Sequence, residues 1–245
     1  MNIYKERPRK GSGTECCLNH YSTGSDSLNH WRRLLPIAFT AENAQKVHAG
    51  TKTQTRRLLN PQPPEHVTKL RPYHGCDRRW IDADGSNYCV QSRYRVGDVL
   101  WIQQPWRTQK TWDSTKPTEL FSNCRIYMDD APNGAGKLRP GRFLPLRFAR
   151  PHRYEVTSVR LERVNEISNT DAVAEGVENW CPFGTCNGSG YLAQNHTVTA
   201  PVECRCADLR HREAFGMLWN SIHTKLGTQF EDAPWVFAYT FRRIQ

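Results

Sequence analysis

Two groups of side chains in this 245-residue sequence have types and spacings suited to chemistry. The first is a set of four cysteines, Cys181, Cys186, Cys204 and Cys206, in the pattern C-x4-C, seventeen residues, C-x-C. Structural zinc takes four tetrahedral thiolate or imidazole ligands, and two close pairs joined by a loop can supply them. The glycines of CPFGTCNGSG suit a metal knuckle, but neither pair has the C-x2-C spacing, so structural zinc and unliganded thiols both stay open. His196 and His211 are near enough in sequence to replace a cysteine. The second group is a run of arginines, Arg139, Arg142, Arg147, Arg150, Arg153, Arg160 and Arg163, with no lysine among them and only Glu155 and Glu162 opposing. A guanidinium is a planar fork that fits phosphate and base edges. Phe143, Phe148 and Tyr154 lie between these charges, where bases can stack. RNA, DNA or a nucleoside is the leading class of partner; the alternative is a solvated basic surface.

The composition agrees with that class and excludes others. Lys and Arg number 34 against 24 Asp and Glu, a formal net charge of +10, which favours polyanions. Eight Trp, nine Tyr and nine Phe argue against a disordered chain. No stretch approaches the roughly 18–20 apolar residues that span a bilayer, so no membrane partner is expected. The start, MNIYKERPRKGSGTECC, lacks the apolar segment of a signal peptide. Nine cysteines, an odd number in a chain with no export signal, argue against a disulfide framework.

The elements that must position these groups can be read from pattern. Residues 1–30 are polar and aperiodic and are expected to form a flexible arm. A single domain is expected over 31–245, with insertions at about 107–138 and 178–207. Leu34, Leu35, Ile37 and Phe39 make a strand-like run. Thr40 can cap a helix over Ala41–Ala49, with Gly50 just past its end. The alternating Thr and basic residues of 51–57 predict an extended segment or a tight loop. PQPP at 61–64 breaks regular structure, and 65–95 holds short strands and an Asp84-Gly85 turn. Val99–Ile102 reads as a buried strand and Arg125–Met128 as a further one. Arg153–Val164 alternates as a half-buried strand. Ser168 can cap a short helix over Thr170–Glu175, ended by Gly176. Phe215, Leu218, Trp219 and Ile222 give one apolar face to a helix from about Asp208 to Ile222. Trp235–Phe241 is a strong strand. Strands and short helices without βαβ alternation predict an α+β fold, a small β-barrel or mixed sheet with helices packed on it.

Several segments together resemble the ASCH domain family of the PUA-like superfamily, especially its longer phage and prophage members. The carriers are PIAFTAENAQKVHAGTKTQTRRLLNPQP at 36–63, RVGDVLWIQQPWR at 95–107, RPGRFLPLRFAR at 139–150, VTSVRLERVNEISNTDAVAEGV at 156–177, and FGMLWNSIH and PWVFAYTFRRI near the end. They cover roughly half the chain, in family order. The resemblance implies a PUA-like small β-barrel with packed short helices and, for a phage-encoded protein, a place in the cytoplasm of a bacterial host. Short members of the family include amidohydrolases that deacetylate acetylcytidine, with a Lys and a Thr of a G-x-K-T-x-T-x-R segment acting with a Glu on a short helix. Position matching implies Lys52, Thr55 and Arg57 for the motif residues and Glu175, in DAVAEG, for the glutamate. Gln103 and Gln104 stand where the longer members are expected to carry an acidic residue, and the chain is more than twice the length of the short amidohydrolases.

That implied set is chemically coherent. Amide hydrolysis needs a nucleophile, a base that activates it and an acid for the leaving amine. A desolvated Lys52 can serve as the base. Thr55 can attack or position a water, and Glu175 can transfer a proton or orient the base. Arg57 can hold an oxyanion or a phosphate. Arg56, Arg57, Arg142, Arg147, Arg150 and Trp106 are the candidate binding side chains. Two functions are therefore expected to compete. One is hydrolysis of an amide on a modified nucleoside such as acetylcytidine. The other is non-catalytic RNA or DNA binding in a basic groove over Arg139–Arg163. A third reading is a zinc-stabilised host-interaction protein built on the Cys181–Cys206 insertion.

Overall fold

The computed structural model describes residues 33–73, 79–83, 88–128, 131–177 and 211–244. The expected N-terminal arm, the Asp84-Gly85 turn and the cysteine insertion lie outside them. The fold is mixed α+β. Its main sheet contains β1 (Leu34–Ala38), β2 (Gln54–Leu58), β6 (Val99–Gln103), β7 (Tyr154–Arg163) and β8 (Trp235–Arg243), in the order β1-β6-β7-β8-β2. β1 runs parallel to β6, and the other pairings are antiparallel. A smaller antiparallel sheet joins β3 (Leu70–Pro72), β4 (Arg79–Asp82) and β5 (Cys89–Gln91).

β8 explains the layering. Its sequence, WVFAYTFRR, is apolar at successive positions, the pattern of a strand covered on both faces. Trp235, Phe237, Tyr239 and Phe241 enter the main core with Ile37, Leu100, Val156 and the Trp80 and Val90 of the small sheet. Val236 points the other way, into a second cluster with Val164, Ile167, Phe215 and Trp219. Two helices supply that second layer, α2 (Asn169–Ala174) and α3 (His211–Ile222). The expected start of α3 at 208 falls outside the described residues. α1 (Ala41–Ala49) instead packs Ala44 and Val47 into the main core.

The helix termini form as their residues dictate. The Thr40 hydroxyl accepts from the Asn43 amide, and Gly50 closes α1 in the left-handed conformation at φ 83°. The Ser168 hydroxyl accepts from the Asp171 amide at the start of α2. These caps satisfy backbone donors and acceptors that a helix leaves open at its ends.

Among the described residues, no backbone ladder joins β1 to β2, so the sheet is open where a barrel would close. The two edges are linked instead by a side chain: an Arg57 guanidinium nitrogen donates to the Ala38 carbonyl. The segment after β6 carries single turns of 3-10 helix and isolated bridges, among them Trp106 with Arg139 and Arg107 with Tyr127. The expected strand over Arg125–Met128 is reduced to that one bridge at Tyr127. The segment has its own small core of Trp106, Leu120, Cys124 and Leu144. No helix among the described residues is long and apolar enough to cross a membrane.

Candidate active site

The chain leaving α1 is folded back on itself. The amides of Thr51 and Lys52 both donate to the Lys46 carbonyl, at 3.0 and 3.1 Å. The Thr53 amide then donates to the Ala174 carbonyl at 2.8 Å, fastening this turn to the end of α2. Lys52 and Glu175, 123 residues apart in sequence, therefore meet. Lys52 Nζ donates to Glu175 Oε2 at 2.6 Å and to the Glu175 carbonyl at 2.7 Å. Both residues are 5% exposed. Burial pulls the Lys52 ammonium below its ordinary pKa, and the charge and hydrogen bond of Glu175 oppose that pull only in part.

Behind this pair lies a network that pattern reading missed. β2 pairs Arg56 with Ala238, on the face covered by the helices, and Thr55 with Tyr239, on the core face. Arg56, with no side-chain exposure, reaches three carboxylates: Glu162 Oε1 at 2.7 Å, Asp171 Oδ2 at 3.1 Å and Glu175 Oε1 at 3.2 Å. Arg160 joins Glu162 at 3.0 Å and Asp171 at 2.6 Å. Gln54 donates to Asp171 at 2.9 Å. Lys52, Arg56 and Arg160 thus balance Glu162, Asp171 and Glu175. Burial alone would raise the Asp171 pKa. The Gln54 hydrogen bond and the Arg160 and Arg56 charges outweigh it and hold the carboxyl below its usual value. The signal was in the spacing: Asp171 lies four residues before Glu175, Gln54 two before Arg56 and Arg160 two before Glu162, each pair on one face of its element.

A cavity of about 460 Å³ opens over the site. Lys52, Thr55, Arg57 and Glu175 form its polar wall, and Phe39, Phe215, Leu218, Trp219 and Ile222 its apolar one. Thr55 is 5% exposed, and among the described residues its hydroxyl has no hydrogen-bond partner. The Arg57 guanidinium lies 5.0 Å from the centre of the Phe39 ring. Burial lowers its pKa, yet a guanidinium stays charged at any physiological pH. Trp219 is fixed by its indole donating to the Thr228 carbonyl at 2.8 Å and by His223 stacked on it at 4.0 Å.

The remaining candidates separate. Lys52, Thr55, Arg56, Arg57 and Glu175 all border one cavity, but the Arg56 guanidinium is held by carboxylates. Arg142 is exposed and lies 4.7 Å from the Phe143 ring, next to Pro140 and Gly141 on the cavity's rim. Arg147 turns away, donating to the carbonyls of Pro117, Thr118 and Leu120. Arg139 similarly donates to the carbonyls of Trp112 and Thr115. Arg150 is partly buried, and its carbonyl accepts from Arg153. Trp106, a candidate binding side chain, is 0% exposed in the small third core and offers no face to a ligand. Much of the arginine run braces loops instead of lining one open groove. Cys181, Cys186, Cys204, Cys206 and His196 lie outside the described residues, among which no group of three or more His, Cys, Asp or Glu side chains could hold a metal.

No family model matches the sequence. No curated protein matches it either. Among solved structures the chain is similar to the crystal structure of protein EF3133 from Enterococcus faecalis V583, family-model DUF984. The identity is 13%, the TM-score 0.35, and the overlap covers 89% of this chain and 83% of that one. So loose an overlap places no residue of the site.

Proposed function

We propose that the chain is a phage-type ASCH protein with a PUA-like fold, acting in the cytoplasm of a bacterial host to hydrolyse an amide on a modified nucleoside. The reading is carried by one observation. A buried Lys52–Glu175 pair and the Thr55 side chain share a cavity with one polar and one aromatic wall. A planar base fits against Phe39, Phe215 and Trp219, where stacking and burial supply affinity, and the polar wall then faces its exocyclic amide.

Both carboxylate oxygens of Glu175 already accept from cations, Oε2 from Lys52 and Oε1 from Arg56. Glu175 therefore holds and orients Lys52, and the proton moves through Nζ. Neutral Lys52 takes the Thr55 proton as Thr55 Oγ attacks the acyl carbonyl. The C–N bond breaks, and the same proton passes from Nζ to the leaving amine. Water then cleaves the Thr55 ester, releasing the carboxylic acid and restoring the hydroxyl. Arg57 stabilises the oxyanion of each tetrahedral intermediate.

Acetylcytidine incubated with the protein and followed by mass spectrometry tests this. Conversion to cytidine by wild type, lost in Lys52→Ala and in Thr55→Val, supports the reading. Absence of turnover by folded protein removes that substrate. A second reading, RNA or DNA binding without catalysis, is favoured by the exposed Arg142–Phe143 stack on the cavity's rim. It expects affinity for single strands that falls steeply with salt and survives Lys52→Ala.

A further inference from the structure

Arg57 borders two cavities. On one side is the cavity over Lys52 and Thr55; on the other is a separate one of about 310 Å³, open beside the small sheet. Arg57 and Ala38 line both cavities, and the Arg57 guanidinium donates to the Ala38 carbonyl across the gap between β2 and β1. The second cavity has an apolar floor that includes Ile37, Leu59 and Phe237. Its polar lining consists of Arg57, Arg93, Gln91, Asn60 and two tyrosines, and no carboxylate is among its lining residues. The tyrosines are engaged elsewhere: Tyr94 donates to the Pro36 carbonyl at 2.7 Å, and the Tyr239 hydroxyl lies 3.0 Å from that of Ser92. The groups left to meet a ligand are two guanidiniums and two amides.

We infer that this second cavity is a phosphate subsite, in which Arg57 of β2 and Arg93 of the bend after β5 grip a phosphate ester from two directions. Forked guanidiniums approaching from two directions match a tetrahedral oxyanion better than a planar carboxylate. The electrostatics favour an anion there. Arg57 is desolvated, and the nearby Arg93 charge adds to the lowering of its pKa; an anion between the two relieves both costs. Arg93 is exposed and its guanidinium rests 5.4 Å from the Tyr94 ring, so it can swing onto a ligand without breaking a core contact. The geometry also gives Arg57 a double duty: it faces the reacting group on one side and the phosphate on the other. If the first cavity holds a base, which rests on the function proposed above, the ligand is a nucleotide or a stretch of polynucleotide, in preference to a free nucleoside.

Calorimetric titration of the full chain with cytidine, cytidine 5′-monophosphate, the dinucleotide CpC and inorganic phosphate tests the subsite without requiring turnover. The monophosphate or the dinucleotide is expected to bind about tenfold more tightly than cytidine, the value of one charge-assisted contact. That advantage should vanish in Arg93→Ala, with cytidine affinity unchanged. A preference for the monophosphate assigns a monoester, and one for CpC a diester. If no nucleoside binds but inorganic phosphate does, in an Arg93-dependent way, the subsite stands and the base-binding reading falls. Equal affinities for cytidine and its phosphates in wild type, an advantage that persists in Arg93→Ala, or no response to any phosphate overturns the inference.

Discussion

In the proposed hydrolysis Lys52 is the base, a role helped by its burial and hindered by the adjacent Glu175 carboxylate. Burial prevails, so its folded pKa lies below 10.5. Two consequences follow with definite sign. Under the proposed hydrolysis, turnover should rise with pH through the lowered pKa, as the neutral amine becomes available, and a pH profile of kcat/KM should place that limb below 10.5. Stability should also rise with pH between the folded value and 10.5, because the unfolded chain there binds a proton that the folded chain lacks; below both values this contribution is flat. Lys52→Ala leaves Glu175 buried with one partner fewer and should cost about 3–5 kcal/mol in urea unfolding. Thr55→Val is the cleaner test of chemistry. It removes a hydroxyl that has no partner among the described residues, so activity should disappear while stability changes by less than about 1 kcal/mol.

At the scale of elements, the site depends on where α2 and α3 stop the chain from moving. Gly176, just after Glu175, sits at φ 84°, and an added Cβ would lie 3.2 Å from Lys46 Cδ and 3.3 Å from Lys52 Cβ. Gly176→Ala should therefore strain the backbone by about 1–2 kcal/mol and press on Lys52; under the proposed reaction, lower kcat at unchanged fold, seen by circular dichroism, is the expected result. Asp171 ties α2 to β2 and β7 through Gln54, Arg56 and Arg160. Its pKa is held below 3.8, so its contribution to stability is complete above 3.8 and is lost as pH falls through the lowered value. Asp171→Asn should cost about 1–3 kcal/mol at neutral pH, and thermal melts should show the two proteins converging in acid. On the opposite wall, Gly216 of α3 packs against Phe230, whose ring would be 2.9 Å from an added Cβ. Gly216→Ala should push α3 outward and widen the aromatic wall.

For the whole molecule, the segment between β6 and β7 carries a small core of its own. Trp106 at its centre has no exposure, so Trp106→Ala should lower stability by about 3–5 kcal/mol. Ligand affinity measured on the protein that remains folded should change little, because Trp106 is not among the residues lining either cavity.

The sequence alone determined the local elements. Thr40, Gly50, Ser168 and Gly176 mark helix ends because caps depend on residues only a few positions apart. The alternation around Val156 and the apolar run at 235–241 give strands because side-chain period is a local property. Lys52, Thr55 and Glu175 were singled out only through the resemblance of their segments, since nothing local links residues 52 and 175; the structure brings them to one cavity. Tertiary structure decided the rest. It made Arg56 a strut among three carboxylates and Arg57 a lining residue of two cavities, although the two are adjacent and alike, because neighbouring residues on a strand face opposite ways. It also tied Arg139, Arg147, Arg153 and Arg163 to backbone carbonyls. A charge is equally visible in sequence whether it meets solvent, a carbonyl or a phosphate; only packing decides which partner it finds.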